Sequence, residues 1–250
     1  MAGHSKWANT KHRKARVDAK RGKIFTKILK EVTVAARLGG GDPTGNPRLR
    51  QVIQEARSNN VPNDTVERAI KKGTGELEGV NYEEISYEGY GPGGVAILIE
   101  AMTDNRNRTV GEIRNLFSKN GGNMGENGCV AWMFDRRGFF LISPESLDEE
   151  AFMELAMDLG AEDFQIDQDG YQLYTSPEDY ISVLEALEER DDIDVQVKQF
   201  AMIPQSQVHL DEGDAGKMIR LMELLEDHDD VQHVWSNFDI DDEVLERVTA

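Results

Sequence analysis

The sequence predicts an α+β protein of three domains, in which a ferredoxin-like unit interrupts the second domain. One observation is charge: residues 1–72 hold 17 Lys and Arg against 6 Asp and Glu, whereas residues 73–250 carry a net charge of −30. Another is the spacing of apolar residues, which is helical up to about residue 75 and alternates between strand and helix patterns beyond it. The predicted domains are residues 1–79, residues 80–136 together with 205–250, and residues 137–204.

The first domain is predicted to be helical and basic. On a helix over residues 16–36, apolar side chains occupy one face and a cationic stripe occupies the other, formed by Arg16, Lys20, Lys23, Lys27 and Lys30. A glycine-rich loop follows at residues 39–47, and Pro47 suits the first position of a second helix. A third helix is predicted to begin with Asn63 or Asp64 as its cap and to end at Gly73.

The second domain is predicted to begin with a hairpin. "YEEISYEGY" and "GVAILIEAM" resemble strands, and the G-x-G-x-x-G between them is interpreted as a turn because a strand follows it, not the helix of a dinucleotide site. Thr109 and Glu112 fit a capping box that opens a helix through Lys119. "QVHL", a helix over Ala215–Leu225 and the strand "VQHVWSNFDI" are expected to complete this sheet.

The third domain is predicted from a regular βαββαβ pattern between residues 137 and 204. Its elements are the strand 139–142, the helix 147–159, the strands 163–166 and 171–175, the helix 177–189 and the strand 195–202.

Composition narrows the functional class. No apolar run approaches the length of a membrane span, and the N-terminus lacks a secretory h-region, so a cytoplasmic protein with no membrane partner is expected. A cleaved mitochondrial transit peptide is the alternative explanation of the basic N-terminus. Cys129 is the single cysteine, and no nucleophile or paired-carboxylate signature stands out. We therefore expect no enzymatic activity, no metal or other cofactor and no small-molecule substrate.

The basic N-terminal segment predicts a nucleic-acid partner. Lysines and arginines placed on phosphates release counterions, and Trp7 offers a surface on which a base can stack. The candidate nucleic-acid-binding residues are Lys6, Trp7, Lys11, His12, Arg13, Lys14, Arg16, Lys20, Arg21, Lys23, Lys27 and Lys30. Arg106 and Arg108 oppose the helix dipole at a helix N-terminus, which indicates either an anion contact or an interdomain salt bridge. The basic face could instead dock an acidic protein.

Several segments together resemble the YebC/PmpR family of probable transcriptional regulatory proteins. They are "AGHSKWANTKHRKARVDAKRGKIFTK", "GGGDPTGNPRLR", "ERAIKKGTG", "YEGYGPGGVAILIE", "TDNRNRT", "GGNMGENGCVAWMF" and "LEDHDDVQHVWSNF". The resemblance implies a three-domain DNA-binding regulator of transcription without enzymatic activity. Related proteins, including a mitochondrial translational activator of cytochrome c oxidase, act on translation, so a ribosomal RNA target and the ribosome itself are the alternative. The residues favour that alternative in one respect: they show no helix-turn-helix, zipper or zinc finger.

Overall fold

The computed structural model describes residues 21–167 and 170–249, and its mixture of helices with two antiparallel four-stranded sheets confirms the α+β class. The helices are α1 (Arg21–Gly39), α2 (Pro47–Ser58), α3 (Asn63–Gly73), α4 (Arg106–Lys119), α5 (Glu149–Asp158), α6 (Tyr180–Glu188), α7 (Glu212–Glu226) and α8 (Asp242–Thr249). The strands are β1 (Glu83–Tyr90), β2 (Ala96–Thr103), β3 (Asn123–Met124), β4 (Phe134–Ile142), β5 (Asp163–Asp167), β6 (Gly170–Thr175), β7 (Val195–Pro204), β8 (Val208–His209), β9 (Val231–Ser236) and β10 (Phe238–Asp239).

The first domain is the bundle α1–α3, whose apolar core draws only on residues 24–70. Asn46 joins two of its helices, because its Oδ1 caps α2 by accepting from the Leu49 N–H while its Nδ2 donates to the Ala35 carbonyl at 2.8 Å. Gly73 ends α3 where a Cβ would overlap the Thr33 carbonyl oxygen. The third helix therefore packs closely on α1.

Two predicted helix starts are wrong. Helix α3 has Pro62 at its N-cap and no capping side chain, because the extended Pro62 backbone directs the chain into the helix and its carbonyl accepts from the Val66 N–H. Helix α4 starts at Arg106 with Asn105 as its cap, three residues before the predicted capping box. Thr109 is instead buried within the helix, where its hydroxyl makes tertiary hydrogen bonds.

The second domain is built on an antiparallel sheet of order β3-β1-β2-β9. Ile97 and Ile99 of β2 point to one face of it, where α4 and α7 supply Phe117 and Met218 to the core. Strand β9 pairs with β2 in the register Ile97↔Ser236, so a segment from the C-terminal part of the chain completes the sheet. The expectation that "QVHL" also joins this sheet is wrong, because β8 pairs in parallel with β10 to form a separate two-stranded sheet. The hairpin between β1 and β2 turns through residues 91–95, as the sequence predicts.

The inserted unit forms a second antiparallel sheet of order β5-β6-β4-β7, with α5 and α6 on one face. This is the predicted βαββαβ arrangement. Strand β4 begins at Phe134, earlier than predicted, and pairs with β7 as far as Pro204. Gly138 lets Tyr180 pack directly on β4, since a Cβ there would overlap Thr175 and the Tyr180 ring.

The three domains are joined in two different ways. The second and third share an apolar layer in which Leu98 and Trp235 pack with Phe139, Leu141 and Tyr174 of the inserted sheet. The first domain touches the others through polar contacts instead. Apart from the contacts of the α1 lysines, these are hydrogen bonds from Arg37 to Asn81 and to the Tyr82 carbonyl, from Arg48 to Glu84, and from Gln51 to Tyr180. Among the described residues, no buried apolar cluster spans the first domain and either neighbour.

Helix α8 was not predicted from the sequence. It is short, and it is positioned by tertiary packing, because Val244, Leu245 and Val248 pack on the core of the second domain. None of the helices in the described ranges combines the length and the apolar character that crossing a bilayer requires.

Candidate nucleic-acid interface

Three of the predicted nucleic-acid-binding lysines lie on one face of α1, and we call Lys23, Lys27 and Lys30 the lysine stripe. This stripe faces the turn formed by residues 226–230, which ends α7 and which we call the acidic turn. Each amine donates a hydrogen bond to a backbone carbonyl there. The pairs are Lys23 to Asp227 at 2.9 Å, Lys27 to Glu226 at 2.6 Å and Lys30 to Asp229 at 2.9 Å. The stripe thus satisfies the free carbonyls at a helix C-terminus, where the dipole favours cations.

The deepest contact of the stripe is centred on the carboxylate of Asp230. Lys30 Nζ lies 2.7 Å from Oδ1, while Arg108 and Thr109 each donate to Oδ2 at 2.7 Å. Burial opposes ionisation of this carboxyl, but the hydrogen bonds from Lys30, Arg108 and Thr109 outweigh it and hold its pKa well below the usual range. The carboxylate therefore links α1 of the first domain to α4 of the second.

Lys27 occupies the middle of the stripe and is largely shielded from water. Burial lowers the pKa of its amine to about 8, an effect that the nearby Asp227 and Asp229 oppose and that Lys23 and Lys30 reinforce. Lys27 is therefore still a cation at neutral pH, although its burial makes the charged amine less stable than it would be in water.

The stripe becomes more exposed toward the N-terminal end of α1. The Lys23 side chain is 47% exposed and lies 3.8 Å from an Asp227 carboxylate that is 54% exposed, whereas the Lys30 and Asp230 side chains are 9% and 5% exposed. Ion pairs with this much exposure contribute about 1 kcal/mol or less. The contact is consequently weakest at the end of α1 that joins the N-terminal segment.

Arg108 forms part of the contact between the first and second domains. Its guanidinium donates to Asp104 and to Asp230, and the same Asp230 carboxylate holds Lys30 of the first domain. Both salt bridges of Arg108 lie within the second domain, so Arg108 reaches the first domain only through the Asp230 carboxylate that it shares with Lys30, and the predicted interdomain salt bridge is made by Lys30 instead. Arg106, the other arginine of this pair, is exposed at the start of α4.

A cleft of about 760 Å³ opens beside these ion pairs. It brings Glu112, His228 and Asp230 within reach of one another, a set of side chains that can ligate a metal. His228 Nδ1 accepts the Asp230 backbone N–H, so its Nε2 carries the proton that is donated to Glu112 at 2.9 Å. Because Lys30 and Arg108 already occupy both oxygens of Asp230, the cluster acts as a network of ion pairs and hydrogen bonds.

The structure also shows exposed cations that were not among the predicted site residues. Arg68, Lys71 and Lys72 are exposed on α3, and helical geometry places them within an arc of about 100°. Arg57, at the end of α2, is exposed as well. The signal that could have identified the α3 group is present in the sequence, since these three cations lie opposite the inward-facing Val66 and Ala69.

A rigid loop presents a large aromatic side chain to solvent. Trp132 is 68% exposed, and its Nε1 donates to the Cys129 carbonyl, which also accepts from the Tyr90 hydroxyl at 3.1 Å. The loop is fixed from inside by the buried Glu88 carboxylate. Its oxygens accept the backbone N–H groups of Gly128, Val130 and Ala131 at 2.6, 2.7 and 2.8 Å. An indole held in this way can stack on a base or on a flat side chain of a partner.

The single thiol does not have the environment of an activated nucleophile. Burial, together with the negative charge of Glu88, raises the pKa of Cys129. Reactive cysteines in enzymes have lowered pKa values instead.

The remaining predicted site residues belong to the N-terminal segment. Arg21 is the first residue of α1. The residues that lie outside the described part of the chain are Lys6, Trp7, Lys11, His12, Arg13, Lys14, Arg16 and Lys20.

Comparison with known proteins adds evidence from outside the chain. Residues 5–76 match the N-terminal domain of the TACO1/YebC proteins, and residues 82–238 match the second and third domains of the same family. A protein of Natranaerobius thermophilus named "Probable transcriptional regulatory protein" is 59% identical over 98% of this chain and 99% of its own length. A protein of Geobacter sulfurreducens with the same descriptive name is 55% identical, over 99% of this chain and all of its own.

A solved structure has the same fold. The crystal structure of a conserved hypothetical protein from Aquifex aeolicus superposes with a TM-score of 0.86 at 47% identity, and covers 92% of this chain and 95% of that one. The likeness therefore extends over all three domains.

Proposed function

The chain belongs to the TACO1/YebC family, and we propose from this membership and from its basic first domain that it is a nucleic-acid-binding regulator, with DNA-bound transcriptional control as the first candidate. The observation that carries the proposal is the segregation of charge. Residues 1–72 carry a net +11, whereas the rest of the chain carries −30. A polyanion is thus attracted to one domain and repelled by the other two.

The exposed cations on α3 define the described part of this surface. Arg68, Lys71 and Lys72 project from one helix face, and their exposure leaves the charges available to phosphate oxygens. Each contact of this kind with duplex DNA adds about 0.9 to the slope of log affinity against log salt concentration. The basic N-terminal segment, from Lys6 to Lys20, is proposed to extend the same surface.

A binding assay with reversed charges tests this surface. The variant Arg68→Glu/Lys71→Glu/Lys72→Glu should weaken binding of a short labelled duplex and lower its salt slope by about 2–3. The control Arg114→Glu/Lys119→Glu/Arg220→Glu reverses three exposed cations of the second domain and so makes the same change in net charge. Equal affinity and equal slope in the two variants would contradict the proposed surface.

The N-terminal segment is tested separately. Reversing Lys11, Arg13 and Lys20 to Glu should also weaken binding and reduce the salt slope, because each is proposed to contact a phosphate. If neither this variant nor the α3 variant changes binding of DNA or RNA, the proposed phosphate contacts are wrong, and the alternative that the basic face docks an acidic protein is favoured.

An RNA-bound role in translation is the second candidate, and the aromatic loop favours it. Trp132 is an exposed, pre-positioned stacking surface, which suits unpaired bases better than the edges of a duplex. The exposed cations on α3 are lysines and an arginine suited to phosphate contacts, with no accompanying amide side chain in the same arc that could read base edges.

One experiment separates the two candidates. Crosslinking the protein in growing cells and sequencing the attached DNA and RNA in parallel should give enrichment at a limited set of promoters if the role is transcriptional. A single patch of ribosomal RNA, lost when residues 11–16 are deleted, would establish the translational role in its place.

A further inference from the structure

We propose that the acidic turn, residues 226–230, is an internal competitor of nucleic acid for the lysine stripe, so that a bound polyanion releases α1 from the second domain. This inference rests on the proposed nucleic-acid-binding function. It goes beyond that function by assigning a regulatory contact to two surfaces that would otherwise only join the domains.

The chemistry of the turn imitates that of a nucleic-acid backbone. It offers carbonyl oxygens at the negative end of α7 together with the carboxylates of Asp227 and Asp230, and each of these groups meets a lysine of the stripe. Phosphate oxygens would make the same charge-assisted contacts with the same amines. Lys27 and Lys30 are largely covered where they meet the turn, so a phosphate can reach their amines only if the turn moves away, and the two ligands exclude each other at these positions.

The way in which the first domain is attached makes the exchange possible. Its core is complete within residues 24–70, and no buried apolar cluster in the described residues connects it to the other domains. Beyond the stripe, it is held by hydrogen bonds and ion pairs such as Arg48 to Glu84 and Gln51 to Tyr180. Small polar interfaces between domains permit relative motion, whereas the shared apolar layer of the second and third domains opposes it.

The contact between the lysine stripe and the acidic turn is more exposed and weaker at one end, so it can open from that end. Lys23 and Asp227 are about half exposed and separated by 3.8 Å, whereas Lys30 and Asp230 are buried at 2.7 Å. A polyanion approaching along the basic N-terminal segment reaches the weak end first. Replacement can then proceed lysine by lysine along one turn of α1 after another.

The first test weakens the competitor at its exposed positions. Asp227→Asn/Asp229→Asn removes two exposed charges near Lys23 and Lys27. Its affinity for a short labelled single-stranded RNA and for a labelled DNA duplex is compared with that of Glu154→Gln/Asp158→Asn, which removes two exposed charges from α5. The turn variant should bind about three- to tenfold more tightly than this control, the effect of one or two exposed ion pairs.

The second test uses the unaltered protein. Hydrogen–deuterium exchange of the peptide that spans residues 226–231 should become faster when RNA or DNA is saturating, because α1 no longer covers the turn. Exchange within α2 and α3 should stay the same or slow down.

The outcomes separate the two proposals. If the unaltered protein binds neither nucleic acid, the proposed function fails and the competition fails with it. If it binds, but the turn variant matches its control or exchange at 226–231 is unchanged at saturation, the competition is wrong and the binding function stands.

Discussion

Lys27 gives the sharpest prediction about the lysine stripe, because burial lowers the pKa of its amine to about 8 from an ordinary value of 10.5. Below about pH 8 both the folded and the unfolded chain hold the proton, and the folded state carries the full cost of a desolvated charge. Between about pH 8 and 10.5 the folded chain releases a proton that the unfolded chain keeps. Stability contributed by this residue therefore rises with pH across that window.

The size of the effect follows from the shift. At 1.36 kcal/mol per pKa unit, the charged amine costs the folded state about 3 kcal/mol at neutral pH. About 2 kcal/mol of this cost is recovered between about pH 7 and pH 9.5. The variant Lys27→Met keeps the aliphatic stem but has no proton to release, so it should lack this rise.

Urea unfolding followed by helical circular dichroism, at closely spaced pH values, measures the difference. The stability of the parent relative to Lys27→Met should increase by about 2 kcal/mol over the window, while Cys129 and the tyrosines titrate equally in both proteins. Lys71→Met, at an exposed lysine of α3, controls for the loss of a positive charge. Parallel pH curves for the parent and Lys27→Met would refute the assigned environment of this amine.

Three further predictions concern other contacts. Asp230→Ala leaves Lys30 buried without its carboxylate and should lower the free energy of unfolding by roughly 3–5 kcal/mol. Asp229→Ala, at the exposed acid next to it, should cost under about 0.5 kcal/mol. Glu88→Gln replaces a charged acceptor of three backbone N–H groups and should cost about 1–3 kcal/mol near neutral pH. Because those hydrogen bonds outweigh burial and lower the pKa of Glu88, this difference should shrink as the pH falls below about 4.5; a constant difference would contradict the assignment. Gly138→Ala should lower the melting temperature of the inserted domain through overlap with its neighbours, by an amount corresponding to about 1–3 kcal/mol, and a neutral effect would show that β4 and α6 can move apart.

The sequence predicts most elements of the fold because their patterns are local. A continuous apolar run identifies β2, because both faces of this strand are buried, and a helical stripe identifies α1, because this helix buries one face. The start of α4 was misplaced because two capping signals overlap there: Asn105 caps the helix, while Thr109 is used for a tertiary contact with Asp230. Local spacing cannot distinguish a capping threonine from a buried one.

The candidate site could be predicted only in part. Charge counting identifies the basic domain, but it does not show that Lys27 and Lys30 contact the acidic turn, about 200 positions later in the chain. That pairing depends on how the first and second domains pack, which no periodicity encodes. The exposed group on α3 could have been identified from helix geometry, since Lys71 and Lys72 lie opposite its buried face.

The pairing of β2 with β9 also affects the order in which the protein can be assembled during synthesis. Strand β2 ends at Thr103, and its partner begins at Val231, with the whole inserted domain between them. At translation rates of roughly 5–20 residues per second, one edge of this apolar strand waits about 6–25 s for its neighbour. The inserted domain emerges first and can place Leu141 and Tyr174 against Leu98. It would then shield one face of β2 during the interval in which an unpaired strand is most prone to aggregate.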